Sequence, residues 1–405
     1  MVRVIEVKAK ESDEAFAKHE GEFFSVTKDI TIYDEDVDVY GISHPDDHTG
    51  EEGKPQRKLL AKFRKSVIPK DKIQIGWDAF RLLAIPSRNR GASAGPIDQK
   101  GVYWSQRKPV EITKWSARYM QDGKVSKMRV NNVVASGVIG SYEETPFLGQ
   151  PCRMTGYTRR GLKQYLRGFP FLEAIDSQFK KLVPGAHKKQ LAAIQTKPEY
   201  QIGDTAFSTL TINMNFRTAL HKDAGDFQEG FGNLSVIEWG HYHGAETMLP
   251  RFGVGFNVRS GDFLAMDVHE WHANAEMVET ASDKEFNRKL PSIATRDPKT
   301  GVVGSNLPYQ RISFVCYVRE KIVNCSVKDT RDYYKKIGFN ETMEIAKARR
   351  LSASLPSLPI PGLTGTLAEA NSAAEKRGVR QRHTRGRRVQ SERQSVKKHF
   401  MEGFF

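Results

Sequence analysis

The chain has 405 residues and a net charge of +15, from 63 Lys and Arg against 48 Asp and Glu. Its hydrophobic fraction of 39% is enough for a packed core but low for a wholly compact chain. The charge favours a polyanionic partner, and no run approaches the ~18 apolar residues that would predict a membrane-spanning helix.

The N-terminus and the cysteines predict the compartment. The opening residues, MVRVIEVKAKESDE, lack the apolar core of a signal peptide. Cys152, Cys316 and Cys325 are too few and too scattered for a disulfide framework or a zinc ribbon, which indicates a reducing environment. We therefore expect a soluble, intracellular protein of the cytoplasm, the nucleus or a host cell.

Residues 1–149 predict strands and basic loops arranged around a later core. Residues 1–45 mix acidic runs with short alternating pieces, as edge strands do. Residues 55–72 place Leu59, Leu60 and Phe63 at helical spacing, which predicts a short amphipathic helix. The charged side of that helix would face solvent or a DNA groove.

The stretch Ser87–Pro96, SRNRGASAGP, combines basic and amide side chains with glycines that permit close backbone approach. It could cradle a phosphate or lean over an active site. It could equally be a tight turn between residues 82–85 and a strand near residues 102–104. A further strand is predicted within residues 130–142, which are rich in β-branched residues and glycines.

From residue 150 the pattern predicts a β core. Apolar residues at i, i+3 and i+4 predict a helix between Pro170 and Pro184 that buttresses a sheet. Core strands are predicted at 206–216, 233–239, 253–258, 262–267 and 311–318. The polar insert at about 280–309, with several Pro and Gly, is predicted to be a loop outside the core and a candidate lid.

The C-terminal part predicts a helix and a basic tail. Residues 341–350 predict the helix, and the Ser/Pro-rich stretch that follows predicts a linker. Between Asn371 and Phe400 there are ten Lys and Arg and two Glu, a net charge of +8. Such a tail would bind DNA phosphates without sequence preference, or would only increase solubility. The predicted units are 1–149, the core at 150–325, a helical segment at 326–350, and a linker with a disordered tail at 351–405.

The predicted chemistry depends on one histidine-containing stretch. His221 and Asp223 form a His-x-Asp pair, and on an extended strand positions i and i+2 face the same side. Two histidines and one carboxylate, with the remaining positions open, suit a non-haem Fe(II) oxygenase. The third ligand must come from a distant strand, where His272 and its rival His269 follow a Gly-Asp turn.

Arg311 is a further candidate for the same centre, and a second histidine pair is a candidate for a separate zinc site. Arg311 opens the alternating segment RISFVCYVRE, where a buried guanidinium could clamp a carboxylate, with Ser313 on the same strand face. Arg319 is the rival at the far end of that strand. His241 and His243 form a second i, i+2 pair that could bind zinc, although their glycine-flanked position indicates exposed turn histidines.

The stretch also contains the run Asn213-x-Asn215-x-Arg217-Thr218-x2-His221-x-Asp223-x2-Asp226, followed by Gly232-Asn233-Leu234 and Trp271-His272-x-Asn274. With these motifs it resembles the TET/JBP oxygenases over roughly residues 150–321, and it is identified as a phage-type member. The resemblance implies a mainly β (α+β) protein with a double-stranded β-helix core. It also implies Fe(II) and 2-oxoglutarate as cofactors, and hydroxylation of the 5-methyl group of a pyrimidine in DNA.

The resemblance also implies roles for individual residues. Iron would be held by His221, Asp223 and His272, 2-oxoglutarate by Arg311, Ser313 and Asn213, and the target base by Asp226, Asn215 and Arg90. Asn213 and Asn215 could instead support the metal ligands from behind. A base inside a duplex would have to be flipped out, unless the substrate is single-stranded.

Alternatives to this function stay open. The same fold could act on a free nucleotide or a protein side chain, or the chain could be a non-catalytic DNA-binding module. A zinc hydrolase would leave Arg311 unused. The residues do not decide between 5-methylcytosine and thymine. We expect DNA as the partner, no membrane contact and a monomer.

Overall fold

The computed structural model describes residues 2–47, 54–293, 295–296, 303–305, 307–352 and 357–376. The α-helices are α1 (Asp13–Ala17), α2 (Lys70–Phe80), α3 (Val102–Ser105), α4 (Gly156–Arg160), α5 (Leu162–Arg167), α6 (Phe169–Leu182), α7 (Pro184–Gln195), α8 (Ala281–Arg288), α9 (Val327–Lys336) and α10 (Glu341–Ser352). The first strands are β1 (Arg3–Lys8), β2 (Thr31–Tyr33), β3 (Val37–Ile42), β4 (Arg57–Arg64), β5 (Pro86–Ser87), β6 (Pro109–Val110), β7 (Arg118–Gln121), β8 (Lys124–Val125), β9 (Val134–Tyr142) and β10 (Arg153–Met154). The later strands are β11 (Thr209–Met214), β12 (Gly232–Trp239), β13 (His243–Gly244), β14 (Thr247–Leu249), β15 (Val254–Phe256), β16 (Phe263–Met266), β17 (Ala273–Asn274), β18 (Met277–Val278), β19 (Thr295–Arg296), β20 (Val303–Ser305) and β21 (Gln310–Tyr317).

A large mixed sheet forms the centre of the protein. Its strand order is β1-β3-β4-β16-β12-β21-β11-β9-β10, and β5 pairs with β9. A smaller sheet has the order β17-β14-β15-β2. Strands β1 to β4 come from the N-terminal region, yet β4 pairs with β16 and β2 pairs with β15. The N-terminal region therefore completes both sheets of the core.

Strict alternation along β21 separates the two faces of the large sheet. Ile312, Phe314 and Cys316 point into a core shared with α2, α5 and α6. Arg311 and Ser313 point to the opposite face and line a cavity. Because side chains alternate along a strand, one strand supplies both the helix-covered core and the cavity wall.

The large and small sheets pack face to face. Leu234 and Val236 of β12 share a buried cluster with Leu249 of β14 and Phe256 of β15. The cavity opens beside this cluster, between the same two sheets. Sheets facing each other in this way, with helices on the outside, confirm the predicted α+β architecture with a double-stranded β-helix core.

The structure corrects part of the N-terminal prediction. Residues 1–45 do supply an edge strand, β1, but the helix predicted within residues 55–72 is wrong over most of that range. Residues 57–64 form β4, between β3 and β16, and helix α2 begins only at Lys70. Pairing on both sides and burial of Leu60 and Phe63 override the short helical spacing. The strand predicted near residues 102–104 is also wrong, because these residues belong to α3.

The core prediction agrees better with the structure. The helix predicted between Pro170 and Pro184 is α6, and each predicted core strand overlaps β11, β12, β15, β16 or β21. The structure adds helix α7, which begins at Pro184, where the sequence predicts only the end of α6; proline also suits a first helical turn. The insert is more ordered than predicted, since α8 has a capping box between Thr280 and Asp283.

The described part of the C-terminal segment is not a free linker. The helix predicted at residues 341–350 is α10, but residues 357–376 return to the core. Leu358 and Ile360 are buried in the helix-covered core. The Leu358 N–H donates to Asp78 on α2 (2.9 Å), and Gln74 donates to the Leu358 carbonyl (2.9 Å). Beyond residue 376 the predicted basic tail lies outside the described residues.

The cysteine interpretation needs correction. Cys152 and Cys325 form a disulfide across a sequence separation of 173 residues, with their Cα atoms 5.8 Å apart. The fold brings the start of β10 next to the segment that follows β21, and such proximity cannot be read from spacing alone. Cys316 is free and buried. No helix among the described residues is long and apolar enough to cross a membrane.

Candidate active site

A cavity of about 350 Å³ lies between the two sheets. One wall is formed by β9, β11 and β21, and the opposite wall by β14 and β17. Two loops close its sides, residues 89–93 from the N-terminal region and residues 221–226 after β11. The volume is within the range of about 300–1,000 Å³ that is usual for small-ligand sites.

The cavity contains a candidate metal centre. His221, Asp223 and His272 each offer a ligand atom, and these atoms lie within 4.8 Å of one another. The Nε2 atom of His221 lies 3.7 Å from Oδ1 of Asp223, and the Nε2 atom of His272 lies 3.7 Å from Oδ2 of Asp223. Among the described residues, this is the group of His, Cys, Asp or Glu that could hold a metal ion.

Backbone pairing brings the two parts of this centre together. The N–H groups of His221 and His272 each donate to the other residue's carbonyl, both at 3.0 Å. The Asp223 N–H donates to the Val268 carbonyl at 3.0 Å. The segment that carries His221 and Asp223 is therefore extended, as predicted, although it is a bridged loop and not a regular strand.

The hydrogen bonds of the imidazoles fix their tautomers. Nδ1 of His221 lies 2.8 Å from the Ala219 carbonyl, and Nδ1 of His272 lies 2.9 Å from the Glu270 carbonyl. A carbonyl can only accept, so both Nδ1 atoms carry the hydrogen and both Nε2 lone pairs face Asp223. Burial and the neighbouring His272 lower the pKa of His221 to about 4, which keeps it neutral. Two imidazoles and one carboxylate fit an Fe(II) ion.

His269 lies away from the centre. Its Nε2 is 3.2 Å from the Phe227 carbonyl, and its N–H donates to Asp267. It lines a second cavity, on the side of Arg251 and Glu270. Of the two histidines considered for the third position, the structure thus brings His272 to the pair and leaves His269 outside.

The Arg311 guanidinium has two hydrogen-bond donors without a partner in the described part of the chain. Arg311 is 4% exposed, and its Nε and Nη2 atoms have no partner among the described residues. Ser313 lines the same cavity. Arg319 also reaches the cavity, but its guanidinium makes two 2.7 Å hydrogen bonds to Glu143. An unpaired buried guanidinium is costly, so the site around Arg311 fits a bound carboxylate.

The two asparagines have different positions. Asn213 lines the cavity and accepts a hydrogen bond from the Ser136 hydroxyl. Asn215 does not line it, because its side chain donates to the Tyr309 carbonyl (3.1 Å) and accepts from the Arg311 N–H (2.7 Å). Its φ of 46° is left-handed, which an asparagine tolerates. The structure does not bring Asn215 to the cavity, and this residue shapes the turn that leaves β11.

Asp226 and Arg90 both face the cavity. Asp226 is buried, and its Oδ2 atom has no partner among the described residues. Burial, followed by the charge of Asp223, raises the pKa of Asp226 well above its ordinary range. Burial lowers the pKa of Arg90. Arg90 belongs to the stretch Ser87–Pro96, for which the sequence allows either a tight turn or a loop of the active site. That loop lines the cavity.

Other wall residues escaped the sequence interpretation. Tyr317 lines the cavity together with Arg311 and Ser313, and strand alternation from Arg311 would have found it. Tyr142 of β9 is also part of the wall and had no sequence signal. The exposed-turn interpretation of His241 and His243 agrees with their exposure. His241 stacks on Phe286, and His243 hydrogen-bonds to Asp283 (2.8 Å).

A buried ion pair lies behind the third ligand. Arg251 and Glu270 are both buried, and Nη1 of Arg251 lies 3.0 Å from a carboxylate oxygen of Glu270. Glu270 also accepts from the Trp271 N–H (3.1 Å), and its carbonyl accepts from Nδ1 of His272 (2.9 Å). The pair therefore fixes the turn from which His272 projects.

Replacing Arg251 with Met is expected to weaken metal binding about 10–100-fold, because supporting residues orient a ligand. It should also lower the free energy of unfolding by about 3–5 kcal/mol, since Glu270 would keep a buried charge without this partner. Cobalt(II) titration and denaturant unfolding measure the two effects. Lys58, partly exposed and 3.2 Å from Glu270, is the control, and Lys58→Gln should cost only about 0–1 kcal/mol. Unchanged metal affinity in a folded Arg251→Met protein would contradict this role.

Two facing sheets here enclose two histidines, one carboxylate and a buried arginine, a set of side chains that suits an oxygenase of the iron and 2-oxo acid type. Residues 142–320 match the Tet_JBP family model, described as the oxygenase domain of the 2OGFeDO superfamily. The superfamily of that model uses Fe(II) and 2-oxoglutarate. The match agrees with the family resemblance over these residues, while the phage-type label stays a prediction.

Curated relatives and a solved structure are similar to this chain. The bifunctional helicase and thymine dioxygenase JBP2 of Leishmania infantum is 32% identical over 254 residues, which are 59% of this chain and 20% of that protein. Thymine dioxygenase JBP1 of Trypanosoma brucei brucei is 36% identical over 156 residues, 38% of this chain and 18% of that protein. The chain thus spans about a fifth of their length. A structure of NgTET1 in complex with 5mC DNA covers 81% of this chain and 99% of its own, at 13% identity and a TM-score of 0.41.

Proposed function

We propose that this chain is an Fe(II)- and 2-oxoglutarate-dependent dioxygenase that hydroxylates the 5-methyl group of a pyrimidine base in DNA, with thymine as the first candidate. The observation that carries the proposal is one cavity that holds both the His221, Asp223 and His272 group and the Arg311 guanidinium, whose Nε and Nη2 atoms have no partner among the described residues. Thymine is placed before 5-methylcytosine because JBP1 and JBP2 are named thymine dioxygenases.

His221, Asp223 and His272 would hold the metal through two Nε2 atoms and a carboxylate. Arg311 would bind the distal carboxylate of 2-oxoglutarate through its fork of N–H donors, with the Ser313 hydroxyl beside it. With O2, the bound Fe(II) and 2-oxoglutarate supply the oxidising power that converts a methyl group to a hydroxymethyl group. The protein contributes by fixing these groups before the reaction and by excluding water from the cavity.

The opposite end of the cavity would receive the base. Asp226 has a free Oδ2 atom there, which can exchange a hydrogen bond with the polar edge of a pyrimidine. Arg90 approaches from the N-terminal loop and can contact the base or its phosphate. A base within a duplex cannot reach a cavity between two sheets, so the nucleotide would have to be flipped out or single-stranded.

The test is incubation of the full chain with Fe(II), 2-oxoglutarate and O2, followed by mass spectrometry of the digested nucleosides. Parallel reactions contain DNA with thymine only, DNA with 5-methylcytosine, free thymidine monophosphate, or no substrate. We expect 5-hydroxymethyluracil from DNA, with succinate formed in equal amount.

The parallel reactions separate the proposal from its alternatives. Product from the mononucleotide but not from DNA would replace the proposal with a free-nucleotide oxygenase. Product from 5-methylcytosine alone would change the base. If no DNA yields product and no 2-oxoglutarate is consumed by protein that binds Fe(II), the proposed activity is wrong.

A further inference from the structure

A small basic sheet stands beside the active-site cavity, in a region that the family model does not cover. Strands β6, β7 and β8 form this three-stranded sheet. Residues 98–130 contain eight Lys and Arg and three Asp and Glu, a net charge of +5. The family match begins only at residue 142, so the function of this region is not explained by the oxygenase domain.

Part of this positive charge is already neutralised. Glu111 lies 3.4 Å from both Arg118 and Arg129, and Lys114 lies 3.1 Å from Glu22. Five basic side chains remain, Lys100, Arg107, Lys108, Lys124 and Lys127. We call the last four the hairpin surface, and within the part of the chain that the structure describes no ion pair involves them. The three lysines are exposed, and Arg107 is half-buried.

Hydrogen bonds attach this sheet to the cavity wall. Asn131 accepts from the Gly91 N–H (2.8 Å), and its own N–H donates to the Arg88 carbonyl (2.8 Å). Asn132 accepts from the Trp104 indole N–H (3.1 Å). Gly91 and its neighbour Asn89 are exposed and also line the cavity, so they lie at its mouth. The hairpin surface is therefore fixed next to the entrance.

Two guanidinium groups pack against the Tyr103 ring, where the small sheet meets the cavity wall. The Cζ atoms of Arg88 and Arg107 lie 4.9 Å and 4.5 Å from the centre of the Tyr103 ring. Tyr119 of β7 packs on the same ring, at 6.3 Å between centres. A guanidinium such as that of Arg107 suits a phosphate through its fork of N–H donors.

We propose that the hairpin surface binds the DNA phosphates that flank the target base. The inference rests on the proposed function, because a base in the cavity holds its own phosphates at the mouth. These contacts would add affinity without sequence preference. The hairpin surface would position the DNA strand independently of the predicted basic tail.

The experiment measures how salt weakens DNA binding by the full chain, loaded with Fe(II) and 2-oxoglutarate without O2. Fluorescence anisotropy of a labelled mixed-sequence DNA gives Kd between about 50 and 200 mM salt, and each phosphate contact contributes about 0.9 to the slope of log Kd against log salt. We expect Arg107→Gln/Lys108→Gln to lower that slope by about 2, and Lys124→Gln/Lys127→Gln to lower it by a similar amount.

The matched control is Lys180→Gln/Lys188→Gln, which removes the same charge from exposed positions on α6 and α7, on the helix-covered side of the sheet. Its slope should stay unchanged. Equal slope losses in all three variants, or none in the hairpin variants, would overturn the proposal. A chain that oxidises no DNA methyl group but loses slope only in the hairpin variants would refute the proposed activity and keep this surface.

Discussion

Replacing His221, Asp223 or His272 with Ala is expected to abolish product formation and to weaken metal binding by more than about 100-fold. Loss of a supporting residue already costs about 10–100-fold, and loss of a direct ligand should cost more. The ligand atoms lie within 4.8 Å of one another, so each variant leaves only two donors. Cobalt(II) absorption titration measures the affinity without turnover, and 2-oxoglutarate consumption measures the activity.

The control for this prediction is His269→Ala. His269 is a histidine of the same turn, but its imidazole contacts the Phe227 carbonyl and lies outside the metal group. We expect His269→Ala to keep both metal affinity and activity within a few-fold of the unmodified chain. If His269→Ala loses the metal and His272→Ala retains it, the proposed ligand set is wrong.

Replacing Arg311 with Met is expected to raise the KM for 2-oxoglutarate about 10–100-fold. Hydrogen bonds to a charged group contribute about 1.5–3 kcal/mol, and about 1.4 kcal/mol corresponds to a factor of ten. Arg311→Lys should recover part of the loss, because it restores the charge without the planar fork. Initial rates at varied 2-oxoglutarate, with the metal saturating, give the KM.

The variant Arg319→Lys tests whether Arg311 of β21 or Arg319, just after that strand, binds 2-oxoglutarate. It breaks the two hydrogen bonds from the Arg319 guanidinium to Glu143, so we expect it to lower the thermal unfolding midpoint and leave the KM for 2-oxoglutarate unchanged. A raised KM in Arg319→Lys together with a normal KM in Arg311→Met would transfer the clamp to Arg319.

Much of the core and of the candidate site could be predicted from local patterns. The alternation in RISFVCYVRE is sufficient to place Arg311 and Ser313 on one face and Ile312 and Phe314 on the other. A His-x-Asp pair likewise specifies which two ligands share a segment. The choice of His272 over His269 came from the resemblance, and the structure brings His272 to the pair through its backbone bridge to His221.

Other features depend on distant parts of the chain and were not predictable. Residues 57–64 have a weak helical pattern, and only their pairing with β3 and β16 explains why they form a strand. Cys152 and Cys325 meet because the sheet brings their segments together. Asn215 follows Asn213 at the i+2 spacing that places two side chains on one face of a strand. Its left-handed backbone nevertheless turns its side chain away from the cavity.

The pairing of β4 with β16 limits how far the protein can be shortened. A fragment trimmed to residues 142–320 would leave the hydrogen-bonding edge of β16 open, and β15 would lose its neighbour β2. Exposed edges of apolar strands recruit other chains, so such a fragment would be prone to aggregate. It would also lack residues 89–93 and hence one side of the cavity. The smallest self-sufficient unit therefore has to begin near the N-terminus, well before the first residue of the family match.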